Sequence, residues 1–170
     1  SSPGLRRVAG VLDPSFKGFA AVWEEVGRAA KRKGIELTSI VLHELTDDIE
    51  SAAGRFAKGP PGGLIVLPTA INNLARSRIF AIAARHRLPA IYPFRHYAVE
   101  GGLMAYGFRP TDLWRRSADY VDRIFKGEKP ADLPVQAPTT YELVVNRTAM
   151  KQMGLKVPEA FLLRADEIIG

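Results

Sequence analysis

The side chains best suited to ligand binding stand at the ends of short apolar runs, which are predicted to be buried strands. They are Asp13, Ser15 and Phe16 after the first run, Pro68 and Thr69 after the third, Tyr92, Phe94 and Arg95 at the end of the fourth, and Tyr106 and Gly107 at the end of the fifth. Ligands of open parallel sheets bind outside the carboxyl ends of the strands, so we expect these residues to form one site. Arg95 is suited to bind a carboxylate through two hydrogen bonds, and Asp13 to accept one from an ammonium group. The set predicts a small organic ligand with a charged head and an apolar or aromatic body.

No arrangement of residues in the sequence indicates catalysis. The glycine-rich patterns that bind dinucleotides or nucleotide phosphates are absent, and so is the Gly-x-Ser-x-Gly nucleophile motif. The chain has no cysteine, which excludes disulfides and thiolate metal sites. The histidines at 43, 86 and 96 are too widely spaced for a metal-binding motif. We therefore predict a protein that binds a ligand without converting it, and that holds neither cofactor nor metal.

The elements that must position the site alternate along the first two thirds of the chain. Apolar runs at 8–12, 35–42, 64–67, 89–92 and 103–106 are predicted strands, and helical spacing of apolar residues occurs at 16–33, 47–58 and 71–86. Strands without polar alternation are typical of parallel sheets that are covered on both faces. The predicted fold class is α/β, a doubly wound and mostly parallel sheet flanked by helices.

The pattern changes after Gly107. An amphipathic helix is predicted over 111–125, with Thr111 as its N-cap, and its apolar stripe consists of Trp114, Ala118, Val121 and Phe125. A connector with regularly spaced prolines follows. The remainder is predicted to form a strand at 141–145, a short helix at 146–153 and a final helix at 158–169.

Composition and charge narrow the classes of partner. The chain of 170 residues has a net charge of +6, but its basic residues are scattered, so we predict no nucleic-acid-binding surface. No apolar run reaches the roughly 18 residues that a membrane span needs. The opening residues, Ser1 to Gly4, do not resemble a signal peptide.

Several segments, in this order, resemble a known protein family. They read RHRLPAIYPFR from residue 85, GGLMAYG from 101, YVDRIFKGEKPADLPVQAPT from 120, ELVVN from 142, MGL from 153 and FLLRADEII from 161. The chain is similar to the second half of the substrate-binding proteins of bacterial ABC transporters, in the group that includes tryptophan and tyrosine uptake components. The loop DPSFKGF at 13–19 departs from the asparagine-rich loop that is usual in that group.

The resemblance implies one lobe of a type 1 periplasmic-binding fold, in which two α/β lobes close on a ligand. Residues 1–107 would form the ligand-binding lobe, 108–133 a crossover helix that packs on the first lobe, and 134–170 a closing strand with C-terminal helices. Gly101, Gly102 and Gly107 would let the backbone turn and approach other segments closely near the crossing between lobes. Without a first lobe in the chain, the 111–126 helix would be uncovered, and we expect the chain to form a homodimer through it.

The same resemblance implies a role in transport. The complete protein would be periplasmic, or an extracytoplasmic lipoprotein, and would deliver a small molecule, an amino acid or a related carboxylate, to a membrane permease. Two alternatives stay open at this point. One is the effector-sensing domain of a transcription regulator, which shares the fold, and the other is a small flavodoxin-like enzyme.

Overall fold

A computed structural model describes residues 5–15 and 17–170 and folds them around a single sheet. The strands of the described residues are β1 (Arg7–Leu12), β2 (Glu36–Val41), β3 (Gly62–Val66), β4 (Ala90–Tyr92), β5 (Met104–Phe108), β6 (Tyr141–Asn146) and β7 (Glu167–Ile169). The helices are α1 (Phe19–Arg32), α2 (Ile49–Ala57), α3 (Ala70–Leu74), α4 (Arg76–Arg85), α5 (Arg95–Val99), α6 (Pro110–Phe125), α7 (Arg147–Gln152) and α8 (Glu159–Leu162). In this part of the chain, every helix falls short of the length and hydrophobicity that a bilayer span requires.

The sheet has the strand order β2-β1-β3-β4-β5-β6-β7. The pairings from β2 through β5 are all parallel, β6 runs antiparallel to β5, and β7 is parallel to β6. The predicted fold class, a mostly parallel sheet flanked by helices, is therefore confirmed. Because β6 and β7 run the other way, their first residues lie at the edge where β1, β3, β4 and β5 end.

The sheet buries side chains on both faces, as the continuous apolar runs predict. On one face, alternate strand residues such as Ala9, Val11 and Leu64 form the main core together with buried residues of α2 and α4. The intervening residues of each strand point to the other face. There Trp23 of α1 lies against Gly10, where an added Cβ atom would come within 2.3 Å of the indole ring. Glycine at this position lets α1 pack directly on β1.

Two helical predictions in the middle of the chain need correction. The helix predicted at 71–86 is two helices, α3 and α4, which meet at Ala75. The helix predicted from Thr111 begins at Pro110 instead, with Arg109 as its N-cap and no side-chain cap hydrogen bond. Proline suits the first turn of a helix because its missing N–H would have no partner there and its φ angle is already helical.

The prediction of one helix at 158–169 is wrong. Helix α8 ends at Leu162, and Glu167–Ile169 pairs with β6 as strand β7. Asp166 begins this pairing, since its backbone N–H donates to the carbonyl of Leu143 and its carboxylate accepts from the N–H of Leu143 at 2.7 Å. This segment is a strand because it pairs with β6, and its local residue pattern does not predict a strand. Helix α5 was not predicted from the sequence either.

Helix α6, in the predicted crossover segment 108–133, is the least buried long element. None of its 16 residues is buried. Trp114 and Phe125 of its apolar stripe are 70% and 86% exposed, and Val121 is also exposed. Its polar side joins the body through the hydrogen bonds Arg116–Thr139 and Arg109–Glu142. The apolar stripe predicted from the sequence therefore faces solvent within this chain.

Candidate ligand-binding site

The loop after β1 presents a carboxylate at the edge of the sheet. Asp13 is half-buried, and one of its oxygens accepts hydrogen bonds from the backbone N–H and the hydroxyl of Ser15, at 2.9 and 2.6 Å. These bonds lower the pKa of Asp13, so it is ionised at neutral pH. The predicted contact Phe16 lies outside the described residues.

The loop after β3 begins the short helix α3. Pro68 is exposed, and the hydroxyl of Thr69 accepts from the backbone N–H of Asn72 at 3.3 Å as the N-cap of the helix. Strands β1, β3 and β4 are parallel neighbours, with Ile65 opposite Ile91. Thr69 and Tyr92 consequently stand at the same edge of the sheet as Asp13.

Tyr92 was expected on the wall of the site, but its side chain belongs to the core. It is 2% exposed, stacks on Tyr97 with ring centroids 5.6 Å apart, and makes an edge contact with Phe80 at 5.0 Å. Burial raises the pKa of Tyr92 well above that of a free tyrosine. The position of a residue at the end of a strand does not determine whether its side chain points into the core or to solvent. Here the rings of Phe80, Tyr92 and Tyr97 pack on one another in the core.

Phe94 and Arg95 line an open pocket of about 520 Å³ just beyond β4. Phe94 is half-buried and makes an edge contact with Phe108 at 5.5 Å. Arg95 is exposed, and its Nε and Nη2 donate to the two carboxylate oxygens of Glu167 at 2.7 and 2.6 Å. This pair raises the pKa of Arg95 and lowers that of Glu167. Nη1 of Arg95 is not used in the contact with Glu167.

Tyr106 and Gly107 lie on β5 and are not among the residues that line this pocket. Tyr106 is exposed and stacks on Tyr141 with ring centroids 5.9 Å apart. A Cβ atom added to Gly107 would lie 1.8 Å from the carbonyl oxygen of Pro93, so only glycine lets β5 pass the end of β4. Gly102 meets Tyr92 and the Tyr97 carbonyl in a similar way, at 2.8 Å. Two of the glycines that the sequence singled out, Gly102 and Gly107, therefore serve close packing around β4 and α5.

Further residues that were not among the predicted contacts also line the pocket, including Arg109, Trp114, Glu142 and Glu167. Glu142 is only 6% exposed and accepts from Nε of Arg109 at 2.5 Å. This bond raises the pKa of Arg109. Glu142 is the second residue of β6 and Glu167 the first of β7. These two strands run opposite to the others, so both glutamates reach this edge only because of the strand order and direction. No local pattern in the sequence could have revealed them.

A second cavity, of about 260 Å³, has a different character. It opens on the sheet face nearer the start of the strands and is lined by apolar residues such as Ile65, Ile91 and Phe161, with Lys156 at its border. It lacks the opposed charges that surround Phe94. Within residues 5–15 and 17–170, no three His, Asp or Glu side chains converge as a metal site would require.

Comparison with known proteins identifies the family. The model of the ABC transporter substrate-binding protein family matches residues 1–169. A search among curated proteins found no significant match. Among solved structures, a conserved domain protein from Vibrio cholerae is 26% identical with a TM-score of 0.88, and the match covers 98% of this chain and 56% of that one.

Two more distant structures share the fold. One is the ABC domain from Streptococcus pneumoniae in complex with L-Trp, at 19% identity and a TM-score of 0.86, with coverage of 99% of this chain and 56% of that one. The other is a ligand-free, open substrate-binding protein with adhesive properties from Clostridium difficile, at 15% identity and a TM-score of 0.73, with coverage of 98% and 55%. The chain thus spans little more than half the length of these structures. It belongs to the ABC transporter substrate-binding protein family.

Proposed function

We propose that this chain is one lobe of a solute-binding protein and that the ligand lies between its carboxyl edge and a second lobe. The observation that carries the proposal is the Phe94–Arg95 pocket, which lies at the same edge of the sheet as Asp13 and Thr69. This is the edge at which open α/β sheets bind their ligands. The match covers only 55–56% of the similar structures, which supports a second lobe in the complete protein that closes the cleft.

The side chains at the edge favour an amino acid or a related carboxylate with an aromatic or apolar body. Nη1 of Arg95 can donate to a ligand carboxylate while its other nitrogens hold Glu167. Phe94 and Trp114 supply aromatic surface in the same pocket, and the ionised Asp13 suits an ammonium group. The L-Trp in the Streptococcus pneumoniae structure belongs to this chemical class.

The complete protein, in this proposal, binds its ligand outside the cytoplasm and delivers it to an ABC permease without converting it. The match to the substrate-binding family over residues 1–169 favours this function over an effector-sensing regulator or a flavodoxin-like enzyme. Asp13-Pro14-Ser15 also lacks the features of a phosphate-binding loop, since proline removes a backbone donor.

Calorimetry on the two-lobed protein, with L-tryptophan, L-tyrosine, L-phenylalanine and 3-phenylpropionate, tests this function. We expect at least one of them to bind, and Arg95→Ala to weaken it by about 1.5–3 kcal/mol, the contribution of a hydrogen bond to a charged group. Arg85→Ala is the matched control, because Arg85 is an exposed arginine on α4 that pairs with Glu50. Equal losses in the two variants would contradict a carboxylate site at Arg95.

Glu167→Gln sharpens the same experiment. It removes the negative charge beside Arg95, which repels a ligand carboxylate bound at Nη1. We expect the carboxylate ligand to bind more tightly to this variant. Weaker binding would mean that the charged pair with Glu167 holds Arg95 in the orientation that the ligand needs.

A further inference from the structure

Asn72 is a buried polar residue next to an otherwise apolar core. Its side chain is 0% exposed, and its Nδ2 donates to the backbone carbonyls of Val11 and Leu67, each at 2.9 Å. Val11 is the next-to-last residue of β1, and Leu67 directly follows β3. One amide group therefore joins the ends of two neighbouring strands, immediately before the loops that contain Asp13 and Thr69.

The short helix that carries Asn72 makes two further connections at this edge. The backbone N–H of Asn72 donates to the hydroxyl of Thr69, and Oδ1 of Asn73 lies 3.3 Å from Nε2 of His96. His96 follows β4 next to Phe94 and Arg95. Helix α3 is thus bonded to the ends of β1 and β3 and to the first turn of α5, next to Arg95 of the proposed ligand wall.

The other end of the Asn72 side chain is not satisfied. Its Oδ1 is buried and has no hydrogen-bond partner in the part of the chain that the structure describes. Burying an acceptor without a partner lowers stability, and a leucine of similar shape would occupy the position without that loss. Local departures from the most stable choice are typical of sites that serve function.

We infer that Asn72 is a positioning residue, which holds the β1 and β3 loops at the separation that the ligand requires. This inference rests on the proposed function. It differs from a purely structural role in one respect: loss of the two Nδ2 bonds should free the two loops and weaken binding without a matching loss of global stability.

The test compares wild type with Asn72→Leu, which keeps the shape and removes both donors and the unsatisfied oxygen. In the 170-residue chain we expect amide hydrogen exchange in segments 11–15 and 67–73 to accelerate by about tenfold or more, the scale of one or two net hydrogen bonds. The melting temperature should hold or rise. In the two-lobed protein, the affinity for L-tryptophan, or for whichever member of the panel binds wild type, should fall by about tenfold.

Met153→Ala is the control, since Met153 is buried in the separate small cluster with Leu103 and Ala149. It should lower the melting temperature and leave exchange in both loops and ligand affinity unchanged.

Should the leucine variant fail to fold, Asn72→Ala takes its place with the same measurements. Unchanged loop exchange, or faster exchange with unchanged affinity, would overturn the inference. If the wild type binds no member of the panel, the proposed ligand class is wrong. In that case, faster exchange in the two loops of the leucine variant still supports a positioning role for Asn72, and unchanged exchange contradicts it.

Discussion

Helices α4 and α6 are both amphipathic, yet only one of them is buried. Ile79, Ile82 and Ala83 of α4 are part of the main core. Helix α6 has no buried residue, and its largest apolar side chains, Trp114 and Phe125, face solvent. An apolar stripe thus indicates that a helix has a face to cover, but it does not say which surface covers it.

Topology explains the difference. The segment from β3 to β4 joins two parallel strands, so the chain must return along the sheet, and α4 packs on the sheet as it does so. Helix α6 leads from β5 to β6, which run antiparallel, so the end of β5 and the start of β6 lie at the same edge and the chain need not cross the sheet. Helix α6 is free to face outward, where another protein surface can cover it.

Matched truncations in the two helices test this comparison most strongly. We expect Ile79→Ala to lower the free energy of unfolding by about 2–5 kcal/mol, the usual cost of removing a buried isoleucine side chain. Trp114→Ala should change it by no more than about 0.5 kcal/mol, as is usual at exposed positions. Urea denaturation followed by circular dichroism at low protein concentration measures both. A loss in Trp114→Ala as large as that in Ile79→Ala would show that α6 is part of the cooperative core.

The exposed stripe leads to a second prediction, which concerns association. We propose that the 170-residue chain forms a two-fold dimer through α6, because burying each large apolar side chain contributes about 1.5–3 kcal/mol. In an antiparallel pairing centred near Ala118, Arg115 of one copy stands level with Asp122 of the other, so the flanking charges are complementary. In the two-lobed protein, we propose that the first lobe covers the same face.

Sedimentation at micromolar concentration should give twice the chain mass of 18.7 kDa. The double change Trp114→Ser and Phe125→Ser should return the chain to a monomer. Leu163→Ser is the control, since Leu163 is equally exposed but lies after α8. A wild-type monomer, or a dimer that only the control variant disrupts, would contradict the proposed pairing.

The smallest expected effect concerns two ion pairs. The pair Arg95–Glu167 joins α5 to β7, whereas Arg123–Glu128 is local to the end of α6. Hydrogen bonds from the arginines lower the pKa of both glutamates. A carboxylate with a lowered pKa in the folded state contributes stability above its unfolded pKa, about 4.3 for glutamate, and loses that contribution as the pH falls through the folded value.

We therefore expect Glu167→Gln to reduce the loss of folding stability on acidification below about pH 4.3. Glu128→Gln should leave that profile unchanged, because α6 contributes little to the cooperative body. Thermal melts from pH 6 to pH 3 measure both profiles. An effect of Glu128→Gln as large as that of Glu167→Gln would place α6 within the cooperative unit.

Much of the candidate site could be predicted because parallel strands end at one edge. Asp13, Thr69, Phe94 and Arg95 were identified as edge residues by their position after apolar runs alone. The burial of Tyr92 was not predictable, because it depends on the rings of Phe80 and Tyr97, which arrive from other elements. The hydrogen bonds of Asn72 to Val11 and Leu67 could not be predicted either, because they join residues that come together only in the folded sheet.

The sequence by itself determined the alternation of apolar runs and amphipathic helices, and hence the parallel sheet, its carboxyl edge and the resemblance to substrate-binding proteins. These features depend on local spacing, which a linear pattern records. Only the tertiary structure decided that residues 167–169 form a strand, that Glu167 neutralises Arg95, and that the α6 stripe faces outward. Each of these depends on which strand lies next to which and in which direction it runs, because partners far apart in the chain meet only when the sheet has assembled.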